Sequence, residues 1–130
     1  MNVLDNMVRA IRPGGVILDL QVIRPHPRVE SDGELICEID GTPLFEQADA
    51  ATAAVDTLVR TGCLAEEAIH DHDVRKHYPD GRDLVHDFRD KARKLPEDAI
   101  PRLNAIDQPL VVRERCRLRR LTVSRDRRSL

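Results

Sequence analysis

The chain has 130 residues, 41% hydrophobic, 34% charged and only 2% aromatic, with a formal net charge of -2. That length predicts one domain able to bury roughly two-thirds of its unfolded surface, while the scarcity of rings and the charge balance argue against nucleic acid as a partner. No stretch approaches the roughly 20 apolar residues of a membrane span and no signal peptide opens the chain, so no membrane is expected and the expected compartment is the cytoplasm.

Residues 2–11 place Val3, Leu4, Met7, Val8 and Ile11 at helical spacing, and Pro13-Gly14-Gly15 ends that helix, since the residue before Pro is pushed out of helical geometry. A first strand is expected over 16–23. Its start, Val16-Ile17-Leu18, is apolar on both pleat faces, as in strands buried inside parallel sheets. Arg24-Pro25-His26-Pro27 should stop it, because Pro has no amide hydrogen for a sheet neighbour. Ser31-Asp32-Gly33 predicts a turn into a second strand over 34–39, a hairpin flap.

Thr42-Pro43 supplies a hydroxyl cap and a Pro at the first helical position. Leu44, Phe45, Ala48, Ala51, Val55, Leu58 and Val59 then follow on one helical face until Thr61-Gly62. A strand is expected over 65–78, and Pro79-Asp80-Gly81 turns into a helix over 82–94 with Leu84, Val85, Phe88, Ala92 and Leu95 on one face. Asp87 to Lys91 and Asp90 to Lys94 are supportive acid-before-base pairs on that helix. A short helix over 97–106 leads to a last strand from Leu110, whose apolar phase slips at Arg119-Arg120 and predicts a bulge. Residues 1–123 are thus expected to form one α/β domain, and 124–130 a basic, frayed tail.

The segment Ile11-Arg12-Pro13-Gly14-Gly15-Val16-Ile17-Leu18 resembles the turn and fifth strand of class I S-adenosylmethionine-dependent methyltransferases. "HYPDGRDLVHDF" is similar to the loop and helix between that family's last two strands, and "VVRERCRLRRLTV" to its closing strand. The resemblance spans nearly the whole chain but covers only the family's C-terminal half. It implies a Rossmann-like half-fold, a small sheet of about three main strands plus a hairpin with helices packed on it. The family's Gly-rich loop after its first strand and acidic residue after its second have no counterpart, so no cofactor-binding residue carries over. Gly14 and Gly15 lie between a helix and a strand, the reverse of a cofactor cradle. The resemblance implies that S-adenosylmethionine binds only if a partner completes the fold.

Four candidate features carry chemistry. Arg24 and His26, past the expected end of strand one, lie where ligands bind in open α/β sheets and, by the resemblance, face the methyl acceptor; the plain alternative is a rigid polar loop. His70 and His72 share one strand face and could bind a metal if a third ligand such as His77 or His86 approached, against a solvated or hydrogen-bonded strand face. Arg113, Arg115, Arg117 and Arg119 alternate along the last strand and could contact phosphates, or pair with Glu67, Asp71 and Asp73 on an antiparallel neighbour. Cys37, Cys63 and Cys116 form no Cys-x-x-Cys pair and are expected to be small core residues. No catalytic residue emerges.

In the intact family fold a further strand covers one side of the fifth strand. Here that side would be a bare apolar edge over 16–23 with no charge before Asp19, a template for another chain. The expected function is a methyltransferase-related half-domain, part of a split or truncated enzyme or a dimerising interaction module. A homodimer, or a protein supplying the missing half-sheet, is the expected partner. A small metal-dependent enzyme and a nucleic-acid-binding module are the alternatives.

Overall fold

A computed structural model describes residues 3–91 and 93–124. The elements run α1 (Val3–Ala10), β1 (Val16–Ser31), β2 (Glu34–Glu38), α2 (Thr42–Arg60), β3 (Leu64–Tyr78), α3 (Gly81–Asp87), a single 3₁₀ turn at Glu97–Ala99, α4 (Ile100–Asn104) and β4 (Leu110–Val123). The strands form one open sheet in the order β2-β1-β4-β3. The hairpin β1–β2 is antiparallel, turning on Asp32 (φ 51°) and Gly33 (φ 79°), the paired positive dihedrals that a tight Asp-Gly hairpin uses. β4 runs antiparallel to β1, since Val123 N donates to Gly15 O while Ser31 Oγ donates to Pro109 O. It is antiparallel to β3 as well, with Ser124 N bonded to Cys63 O and Arg117 opposite Asp71.

The described residues fall into two compact units, 3–21, 47–71 and 117–124 in one, 22–46, 72–91 and 93–116 in the other. In the first unit, Val8 of α1 and Val55 and Leu58 of α2 close over Ile17, Leu64, Leu121 and Val123 of the strands. In the second, Leu84 and Phe88 around α3, Leu95, Ala99 and Leu103 pack on Val29, Cys37, Ile39, Tyr78, Leu110 and Val112. Cys37, Cys63 and Cys116 are all buried and make no disulfide, and burial pushes the Cys37 and Cys116 thiols up. No helix among the described residues is long and apolar enough to cross a membrane.

Several expectations are corrected. β1 does not stop at Arg24: it continues through Pro25 and Pro27 to Ser31. β2 faces β1 only from Arg28 onward, with Ile39 N bonded to Pro27 O. Pro25 therefore lies on a stretch with no β2 strand beside it, where a missing amide hydrogen is tolerated. The strand start is not buried on both faces either, because Ile17 is 5% exposed but Val16 is 40% and Leu18 63%. An antiparallel sheet covered on one side imposes a period of two, which the run of three apolar residues concealed. The helix expected over 82–94 ends at Asp87, with Phe88 as its cap and further turns at Arg89 and Lys91. Phe88 and Leu95 still reach the core, while Ala92 lies outside the described residues. Along β4 the buried positions are 110, 112 and 116, then 119, 121 and 123, so the phase slips before Arg119 rather than after it. Of the basic tail, residues 125–130 lie outside the described residues.

Candidate functional site

Arg113, Arg115, Arg117 and Arg119 of β4 each meet an acid. In the second unit, Arg113 Nη2 lies 2.6 Å from Glu30 Oε1 as an ion pair outside hydrogen-bond geometry, and Arg115 Nη1 donates to Asp73 at 3.1 Å. In the first unit, Arg117 holds Asp71 with two bonds of 2.8 and 3.0 Å, the bidentate geometry that makes an exposed pair worth more than a simple contact. Arg119, its side chain 8% exposed, holds Glu66 at 2.6 Å and Asp56 of α2 at 2.9 Å. Burial alone would lower the Arg119 pKa, but the bonds to Glu66 and Asp56 more than offset it, so the group is raised. Asp71 and Asp73 are the partners that alternation predicts. Glu67 instead accepts from Thr122 Oγ1, whereas Glu30 and Asp56 come from a strand extension and a helix that spacing within β4 and β3 does not show.

Arg24 and His26 sit inside β1, not past its end. The Arg24 guanidinium stacks 5.0 Å from the Phe45 ring centroid and the His26 ring 5.3 Å from it. Gly41 N donates to His26 Nδ1 at 3.0 Å, which leaves Nε2 as the protonated nitrogen of a neutral ring. Asp40 Oδ1, 3.9 Å from that Nδ1, accepts the Thr42 hydroxyl and amide, and those two bonds hold its carboxyl below its ordinary value. His26 borders two depressions. One of about 470 Å³ is lined by Glu38, Ile39, Asp40, Lys94, Leu95 and Pro96. The other, about 160 Å³, is lined by Pro25, Arg28, Asp73, Arg113 and Arg115. A larger one of about 560 Å³ has Val85, Phe88, Leu95 and Ile100 as its apolar wall, and Lys94 beside it donates to Arg89 O.

His70, His72 and His77 all lie on β3, His70 and His77 exposed and His72 half-buried, and His86 is exposed on α3. Among the described residues no three His, Cys, Asp or Glu side chains are grouped to hold a metal ion. A cluster that the sequence does not announce surrounds Asp87. It accepts from the Tyr78 hydroxyl at 2.5 Å and Lys76 Nζ at 3.0 Å, with Lys91 at 3.5 Å. The Tyr78 hydroxyl bond, then that of Lys76, holds the Asp87 carboxyl well below the usual range, while burial pushes the Tyr78 hydroxyl up. Such a tyrosine is a donor, not a base, so the cluster ties β3 to α3.

The remaining feature is the edge of β1. Along 16–26 no strand of the described residues lies beside β1 on the side away from β4. Leu18 and Leu20 are 63% and 57% exposed there, and Gln21 Nε2 donates to Asp19 Oδ1 at 2.8 Å. Asp19 Oδ2 is buried and has no hydrogen-bond partner among the described residues. No family model, curated protein or solved structure matches the chain.

Proposed function

We propose that the chain is a methyltransferase-related half-domain that works by association, the bare edge of β1 taking up a second copy of itself. The observation that carries this reading is that no strand of the described residues lies beside 16–23 of β1 on the side away from β4, with Leu18 and Leu20 exposed along it, since such an edge is a template for strand addition. Charge selects the register. Antiparallel pairing centred on Asp19 would oppose two carboxylates, whereas pairing centred on Leu20 opposes Asp19 to Gln21 and Leu18 to Val22. The methyltransferase relation itself rests on the Pro-Gly-Gly turn and the order of later segments, with which the antiparallel neighbours β3 and β4 agree.

Light scattering at micromolar concentration should give the mass of a dimer, and calorimetry with S-adenosylmethionine should give no heat for this chain alone. Leu20→Cys should cross-link copies under mild oxidation, because directly opposed antiparallel Cα atoms stand about 4.5–5.5 Å apart, inside disulfide range. A monomer, or dimers that Leu18→Cys captures faster than Leu20→Cys, would overturn the assigned pairing.

A further inference from the structure

We propose that the small cleft bordered by His26, Arg28, Arg113 and Arg115 is a binding site for a tetrahedral oxyanion of the phosphoryl class. It stands on the second unit alone and is independent of any pairing of β1. Three arginines and one histidine border it against one carboxylate, Asp73, and that carboxylate is already engaged by Arg115 Nη1. The donors left over belong to residues that line this one cleft. Arg113 spends Nη2 on Glu30, yet its Nε is buried without a hydrogen-bond partner among the described residues, the kind of orphaned donor a folded protein rarely tolerates. Arg28 is exposed on β1 and has no ion-pair partner among the described residues. His26, its Nδ1 occupied by the Gly41 amide, presents Nε2 as a donor.

Size and geometry narrow the ligand. A volume of about 160 Å³ matches roughly five waters at about 30 Å³ each, room for a phosphoryl group with its hydration but not for a whole nucleotide. The donors come from two strands, β1 and β4, and not from one planar fork, so they suit oxygens spread over a tetrahedron better than the flat pair of a carboxylate. Arg117 and Arg119 of the first unit are already committed: Arg117 is held by both Asp71 oxygens and Arg119 by two acids.

The test titrates inorganic phosphate into the full chain at constant ionic strength, following heat and the side-chain Nε–H resonances of the arginines by NMR. Saturable binding is expected, with the Arg113 and Arg115 resonances moving and those of Arg117 and Arg119 still. Arg28→Gln, at an exposed position that leaves the fold intact, should weaken binding about tenfold, the usual loss for one charge-assisted bond, whereas Arg60→Gln on α2 should change nothing. Binding of acetate as strong as phosphate, no saturation, or an Arg28→Gln variant that binds as well as the parent would each overturn the proposal.

Discussion

The first unit packs Ile17, Leu64, Leu121 and Val123 of its strands under α1 and α2 and leaves Val16, Leu18, Leu20 and Ile69 between 40% and 63% exposed. The second packs Val29, Tyr78 and Val112 under α3 and α4, and among the described residues its large exposed apolar side chains are Leu35 and Val74. Its outward arginines border a polar cleft instead. Strands of one sheet thus meet water in two ways. Scattered exposed apolar residues are normal, so the proposed association rests on their alignment along β1, and the proposed anion site on guanidinium donors that no acid takes up.

The largest effects should come from the two cores. Leu121→Ala in the first unit and Leu84→Ala in the second each empty a side chain that is 0% exposed, and each should cost about 2–5 kcal/mol in urea unfolding. A loss under about 1 kcal/mol at either site would mean that its cluster is not a packed core. The arginines of β4 come next. Arg119→Met strands two acids that share one buried guanidinium; because Glu66 and Asp56 keep water on one side, the cost should be about 1–3 kcal/mol. Arg115→Met loses one contact at a side chain 41% exposed and should cost about 0–1 kcal/mol. Equal losses would erase the distinction between the two ends of β4.

How much of this was legible follows from what sets each feature. α2 could be read because Thr42-Pro43, Gly62 and the apolar spacing between them are local, and it spans Thr42–Arg60. The end of β1 could not, because whether Pro25 stops a strand depends on whether a neighbour needs its amide hydrogen. Asp71 and Asp73 were legible as partners of the arginine strand from alternation alone, whereas Asp56 reaches Arg119 only through the packing of α2. Tyr78 and Asp87 meet across a turn, and the pattern that suggested a longer third helix gave no sign that Asp87 would be its last residue.

Removing apolar contact at the bare edge should separate association from folding. Leu18→Lys changes a side chain that is 63% exposed, so stability of the monomer should move by no more than about 0.5 kcal/mol. The mass in light scattering should nonetheless fall to that of one chain, because each introduced ammonium would then be set against the apolar Val22 of the other copy. A dimer that survives Leu18→Lys would move the association surface away from β1 and leave its exposed leucines as ordinary surface.

The smallest effect is one of pH. Asp87 is held ionised in the folded chain by Tyr78 and Lys76, while in the unfolded chain its pKa returns to about 3.9. Below that value the unfolded state binds the proton more readily, so stability falls as pH falls. The contribution of this carboxylate is therefore complete above about pH 4 and is lost progressively on acidification towards its folded value. Asp87→Asn keeps an oxygen for the Tyr78 hydroxyl but removes the charge. Its thermal midpoint should lie below that of the parent at pH 7, and the gap should narrow at about pH 2.5. A gap of the same size at both pH values would show that the cluster contributes through hydrogen-bond shape and not through the charge of Asp87. The second unit would then have lost an electrostatic contact that ties β3 to α3.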